Sequence, residues 1–309
     1  MIATRDAYGK ALVKLGEINE NVVVLDADLS KSTKTYDFSK TFPNRFFNMG
    51  IAEQNLVGSA CGLATCGKIP FVSSFAMFAA GRAFEVIRNS VCYPKLNVKV
   101  CATHAGLTVG EDGATHQSVE DVSIMRSIPN MTVLVPADGI ETEQMIFEVA
   151  KYNGPVYVRL GRSAVPNVVS DSYKFEIGKG NMLVDGDDVT IIACGIMVNE
   201  ALKASKELEA AGISVRVVNM STIKPIDRSL IVESAKKTKA IVTAEEHSVI
   251  GGLGSAVTEV VTEECPVIVE KVGVQDVFGE SGTPDELLKK YNLTSDDIIV
   301  ACKKAINKK

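Results

Sequence analysis

The sequence contains three histidines, and two of them, His104 and His116, stand 12 residues apart in the segment 103–117, THAGLTVGEDGATHQ. Imidazoles titrate near neutrality, so a pair in one loop is suited to moving hydroxyl protons. Glu111 and Asp112 lie between them, along with three glycines, Gly106, Gly110 and Gly113, which permit positive φ and close backbone approach. The loop follows the run LNVKVC at 96–101, and open α/β sheets bind ligands at loops leaving the carboxyl ends of their strands. Composition alone fits a polar surface loop equally well. His104, Asp112 and His116 lack the i, i+4 spacing of a helical ligand pair, so no metal site is expected here.

A second candidate is Glu53. The segment 48–67, NMGIAEQNLVGSACGLATCG, predicts a helix beginning near Gly50, on which Glu53 shares an apolar face with Leu56, Val57 and Ala60. A carboxylate on that face is costly unless it is paired or protonated. Glu53 is therefore either a group with a chemical partner or a first-turn glutamate that complements the helix dipole. Gly58, Ser59, Ala60 and Gly62 are small enough to let another backbone pack closely. In 74–89, SFAMFAAGRAFEVIRN, Phe75 and Phe78 fall one turn apart on a helix or its entry loop, a spacing more common in cores than in cofactor platforms. The run 251–256, GGLGSA, lacks both the full G-x-G-x-x-G pattern and the Lys-Ser/Thr of a P-loop, so it reads as tight helix–strand packing.

These residues need a scaffold, and its elements are legible. Runs rich in Val and Ile occur at 22–25, 96–101, 131–135, 155–160, 189–193, 213–219, 240–244 and 266–271. Apolar on both faces and separated by helical patterns, they predict parallel strands covered on each side, an α/β architecture. The segment 138–151 predicts a helix with Asp138 as its N-cap, and 196–211 an amphipathic helix stopping at Gly212. The stretch 162–188, with Pro166, Ser170, Asp171, Ser172, Gly178 and Gly180, breaks the rhythm. A boundary near 175 follows, giving domains 1–175 and 176–309, each a mostly parallel sheet flanked by helices.

Composition narrows the class. A chain of 309 residues suits two domains of ordinary size. Its net charge, 33 − 38 = −5, gives no general pull toward nucleic acid or anionic membranes, and neither is expected as a partner. No apolar run approaches the ~20 residues of a membrane-spanning helix, and MIATRDAYGK lacks a signal peptide's apolar core. Seven cysteines without close pairing motifs suit a reduced, cytoplasmic chain.

The ordered set NMGIAEQN, SFAMF, THAGLTVGEDGATHQ, SIPNMTVLVPAD (127–138) and LGR (160–162) resembles the C-terminal half of transketolase, a family of thiamine-diphosphate enzymes. The resemblance runs from about residue 3 to 300 and is strongest in the first 165. It implies a pyrimidine-binding domain followed by the family's C-terminal domain. It also implies transfer of a two-carbon glycolaldehyde unit from a ketose phosphate to an aldose phosphate. Glu53 matches the glutamate that hydrogen-bonds the cofactor's aminopyrimidine, Phe78 the residue stacked on that ring with Phe75 beside it, and Asp28 an aspartate near the cofactor. His104, Asp112 and His116 match residues around the sugar chain, the two histidines with Glu53 being the catalytic set. Arg5, Ser32 and Arg162 match groups that hold the substrate phosphate.

The resemblance also implies what must come from elsewhere. The family's Gly-Asp-Gly segment and downstream Asn, which hold Mg²⁺ and the diphosphate, have no counterpart here, since Gly186-Asp187 is followed by Asp188. An N-terminal-half subunit carrying those ligands is therefore expected as partner, two copies of each. The beta subunit of a 2-oxo acid dehydrogenase's thiamine component shares the two-domain plan, but GEDGATHQ with Arg5, Ser32 and Arg162 fits sugar phosphates better. A 1-deoxyxylulose-5-phosphate synthase half usually carries Asp-Arg where this chain has Thr103-His104. A non-catalytic assembly subunit would not be expected to keep Glu53, His104, Asp112, His116 and Arg162 together.

Overall fold

The computed structural model describes residues 1–170 and 172–309; Asp171, in the expected linker, lies outside them. The apolar runs form two sheets. The first has the strand order Thr222–Lys224, Thr132–Leu134, Val156–Arg159, Lys99–Thr103, Ile69–Phe75, Val22–Asp26, Phe46–Asn48. Its neighbours are parallel except for the pair at the Thr222–Lys224 edge. The second sheet runs Ile268–Val274, Ala240–Ser248, Val189–Ala193, Val215–Asn219, Asn181–Val184, parallel except for its last pair. Every residue of Val22–Asp26, Lys99–Thr103 and Val189–Ala193 is buried, as strands covered on both faces require.

One strand corrects the sequence reading. Phe75 is not on a helix with Phe78; it ends the strand Ile69–Phe75, and only Phe78 lies on the π-helical turn Met77–Arg82. Pro70, Ser73 and Ser74 disguise that strand. Both serines are buried because each has a partner: Ser73 Oγ lies 2.7 Å from the Tyr8 hydroxyl, and Ser74 Oγ 3.4 Å from Glu53 Oε1.

Several helix ends follow their expected chemistry. Asp138 caps Gly139–Lys151 by accepting from the Glu141 N–H at 2.8 Å, and Met197–Ala210 stops just before Gly212, whose φ is +81°. The helix over 48–67 starts later than Gly50, at Glu53, because Gly50 (φ +71°) turns the chain first. GGLGSA is packing: a Cβ on Gly252 would collide with Glu245, whose carboxylate already accepts from the Leu253 and Gly254 N–H groups, both at 2.7 Å.

The two sheets share one apolar core, in which Val133 and Val135 join Met220, Ile223 and Leu253. A buried ion pair crosses the same region. Arg159 Nε lies 2.9 Å from Asp121 Oδ2, and Arg159 Nη2 donates to the Glu246 carbonyl, also at 2.9 Å.

Candidate active site

Four strands of the first sheet end on the same side. The carboxyl end of Val22–Asp26 leads to Asp28 and Ser32, that of Ile69–Phe75 to Phe78, that of Lys99–Thr103 to His104, and that of Val156–Arg159 to Arg162. Helix Thr4–Ile18 brings Arg5 there as well, because its Thr4 hydroxyl accepts from the Gly161 N–H at 2.8 Å. Ligands of parallel α/β sheets bind at this end.

His104 is the hub. Its ring stacks on Phe75 with centroids 3.8 Å apart, and its Nε2 lies 2.8 Å from Arg5 Nη1. Burial, then the charges of Arg5 and Arg162, hold its pKa down at about 3, so the ring is neutral at pH 7. A guanidinium can only donate, so Nε2 accepts and the ring hydrogen sits on Nδ1, facing the Thr103 hydroxyl at 2.9 Å. Arg5 Nη1 also reaches the Ser32 carbonyl at 3.1 Å. His116 meets Phe78 edge-on with centroids 5.3 Å apart, so both imidazoles flank one aromatic pair.

Glu53 opens the helix Glu53–Thr65 on the face it shares with Leu56, Val57 and Ala60, all buried. Its side chain is 3% exposed, and Arg82 Nη1 lies 3.3 Å from Oε2. That guanidinium also stands 4.3 Å over the Phe78 ring. A planar cation thus lies on an aromatic face while touching a buried carboxylate, which is the pair of contacts a nitrogen heteroaromatic ring would use. The residues present therefore fit an aminopyrimidine. Glu53 and Arg82 border a hollow of about 430 Å³, lined also by Ala52, Gln54 and Asn55. A larger hollow of about 720 Å³ lies elsewhere, lined by Lys236, Lys239, Lys308, Cys265 and apolar residues, away from the imidazoles and from Phe75 and Phe78.

Not every expected residue joins the cluster. Asp28 is exposed and accepts from Asn48 Nδ2 at 2.9 Å, and Asp112 is exposed with no side-chain hydrogen bond among the described residues. Arg162 Nη1 is engaged by the Val109 carbonyl at 2.6 Å and Glu111 Oε2 at 2.9 Å. Gly58 and Gly62 have nothing within 4 Å of an added Cβ, so these two positions are left open by the chain itself, whereas Ala60 is packed in the core. Sequence reasoning missed Arg82, although it follows Phe78 by four residues, and it missed Glu246, a charge inside an apolar strand.

Comparison with known proteins decides the relationship. Residues 1–168 match the transketolase pyrimidine-binding domain and residues 178–298 the transketolase C-terminal domain. The chain belongs to the transketolase family. A Methanocaldococcus jannaschii protein bearing the name transketolase C-terminal section is 56% identical over 95% of this chain and 93% of its own length. A Clostridium 6-deoxy-6-sulfo-D-fructose transketolase subunit is 44% identical over 99% of this chain and 95% of its own. A solved chain described as a split gene transketolase, inactive β4 tetramer, superposes with a TM-score of 0.94 at 64% identity, covering 99% of both chains. In transketolase terms, the residues gathered around His104 and Glu53 all belong to the pyrimidine-binding domain, while Glu245, Glu246 and His247 belong to the C-terminal domain.

Proposed function

We propose that this chain is the C-terminal subunit of a split transketolase, moving a two-carbon glycolaldehyde unit from a ketose phosphate to an aldose phosphate in the cytoplasm. The observation that carries the reading is the cluster itself: a neutral buried imidazole held between Phe75 and Arg5, beside the Phe78–Arg82–Glu53 group. Seven free cysteines accord with a reducing compartment. No helix among the described residues is long and apolar enough to cross a membrane.

In this reading Glu53 hydrogen-bonds the aminopyrimidine of thiamine diphosphate, Phe78 stacks on that ring with Phe75 beside it, and Asp28 lies near the cofactor. The bound cofactor supplies the carbon nucleophile and the electron sink. Glu53 shares a proton with the ring nitrogen, a general acid–base task suited to a carboxyl shielded from water. Neutral His104 accepts a sugar hydroxyl hydrogen bond at Nε2 once Arg5 turns to the phosphate. His116 serves the same sugar from the other side of the aromatic pair, and Asp112 binds one of its hydroxyls. Arg5, Ser32 and Arg162 hold the substrate phosphate, for which guanidinium geometry is apt. Mg²⁺ and the diphosphate are held by an N-terminal-half subunit, two copies of each half forming the enzyme.

The name of the Clostridium relative gives a second reading, a sulfosugar donor, since a sulfonate presents the same anionic oxygens to Arg5 and Arg162. One experiment tests both. The chain is mixed with its N-terminal partner, thiamine diphosphate, Mg²⁺ and an aldose phosphate acceptor, and products are identified from a panel of ketose phosphates, ketose sulfonates and pyruvate. Glycolaldehyde transfer from a ketose phosphate supports the first reading, and transfer from the sulfonates alone supports the second. Pyruvate decarboxylation or no reaction overturns both.

A further inference from the structure

We propose that Glu246 of the C-terminal domain is the positioning residue that fixes the loop carrying His104 and His116. The inference rests on the reading of those histidines as catalytic. The loop leaves its strand with His104 at φ +56°, passes Gly106 at φ +84° and returns at Gln117. Its beginning is tied within its own domain by the Ala105 N–H to Leu160 and the Gly106 N–H to Ser118. The next turn has an anchor outside that domain: the Thr108 N–H donates to Glu246 Oε1 at 2.6 Å.

Both partners of that bond are buried, Glu246 at 4% and Thr108 at 1% exposure. Burial pushes the Glu246 carboxyl pKa up, yet in either protonation state its oxygen accepts this bond, and without it a buried N–H is left unpaired. The fit is tight. A Cβ on Gly106 would overlap the Glu246 carboxyl carbon and oxygens, so this glycine is needed for close approach as well as for its positive φ. Glu246 is itself immobilised, since its carbonyl accepts from Arg159 Nη2 and its strand Ala240–Ser248 lies inside the second sheet.

The far end of the loop is held from the same domain. Gln117, next to His116, donates from Nε2 to the Leu107 and Gly110 carbonyls at 3.1 and 3.2 Å and to the Glu280 carbonyl at 2.9 Å. The Ser248 N–H reaches the Val119 carbonyl at 2.7 Å. A domain that contributes no side chain to the cluster thereby sets where both imidazoles stand.

The test uses the full-length chain with ¹³C-labelled histidine rings; three histidines give three assignable ring signals. In Glu246→Ala, the His104 signal should lose the shift that the Phe75 ring imposes, and amide exchange over 106–110 should rise at least tenfold. Glu246→Gln keeps an oxygen for the Thr108 N–H and should restore both. If Glu246→Ala does not fold, Glu246→Asp withdraws the carboxylate by one methylene and takes its place. A purely structural role would lower the melting temperature without moving the His104 signal, and that result overturns the proposal. In the reconstituted pair, kcat should fall at least tenfold in the alanine or aspartate variant, with donor KM little changed and recovery in Glu246→Gln. An unchanged kcat also overturns it. If the wild-type pair transfers no glycolaldehyde, the functional reading fails while the histidine signals still decide the positioning role.

Discussion

Glu53 and Arg82 hold each other at the rim of the site, with Oε2 and Nη1 3.3 Å apart and the guanidinium 4.3 Å above Phe78. The carboxylate is buried and the arginine side chain is 53% exposed, so the pair is half in water. Arg82 thereby makes the two contacts proposed for the aminopyrimidine ring and would compete with that ring for them.

Arg82→Gln should therefore tighten thiamine diphosphate binding to the two-subunit assembly. Fully exposed ion pairs are worth ~0.2–1 kcal/mol, and one partner here is buried, so the gain should be about fivefold or more. Titration calorimetry with Mg²⁺ present measures it. Weaker binding in the variant would show that Arg82 helps to hold the cofactor.

Glu53→Gln keeps size and hydrogen bonding but cannot exchange a proton. The variant should fold and assemble, while exchange of the cofactor's thiazolium hydrogen with deuterated water slows by roughly 10²–10⁴-fold, the usual effect of losing a general acid–base group. NMR of quenched samples from the reconstituted enzyme isolates this step from sugar binding. Unchanged exchange would leave Glu53 as a helix-start glutamate.

Arg162 sits on Glu111 and the Val109 carbonyl, close enough for its charge to act on Arg5 and His104. Arg162→Ala and Arg5→Ala should weaken binding of phosphorylated ketoses by ~1.5–3 kcal/mol, the range for one hydrogen bond to a charged group. Steady-state KM and inhibition constants for phosphorylated and unphosphorylated sugars make the comparison. Equal losses on both would rule out a phosphate clamp.

His104 carries a sign that can be tested. Its pKa is about 3 in the fold and ~6.5 unfolded, so the unfolded chain binds more protons between those values. Its contribution to stability is complete above pH ~6.5 and is lost as pH falls toward 3. The stability difference between the wild type and His104→Phe, from urea unfolding at a series of pH values, should therefore fall steadily over that window. Glu245, raised to about 7 by burial, acts in the opposite direction between its unfolded value and 7, but it is common to both proteins and cancels. A pH-independent difference would mean that the ring is not buried neutral.

Asp121 is fully buried and takes Arg159 Nε at both oxygens and the Tyr157 hydroxyl at 2.8 Å. Asp121→Ala leaves an uncompensated guanidinium where the two domains meet, at a cost of about 3–5 kcal/mol. Chemical denaturation should show that loss, and a change below ~1 kcal/mol would mean water reaches Arg159.

Much of this protein is written in local sequence. Parallel strands covered on both faces must be apolar throughout, so 22–25, 189–193 and 240–244 declare themselves, and Asp138 and Gly212 mark helix ends by chemistry that needs no distant partner. Helical spacing puts Glu53 on an apolar face but leaves it open whether it is a partnered group or a first-turn glutamate, and the fold shows it buried. Strand Ile69–Phe75 does not declare itself, because its serines are made tolerable by Tyr8 and Glu53, residues 65 and 21 positions away. The neutrality of His104 depends first on its burial and then on the charges of Arg5 and Arg162, brought together by a Thr4–Gly161 bond that spans 157 residues. The bond from the Thr108 N–H to Glu246 spans 138 residues. A hydrogen bond or charge acts over a few ångströms regardless of chain separation, so spacing can show which residues are able to do chemistry, and only the packed structure decides which of them meet.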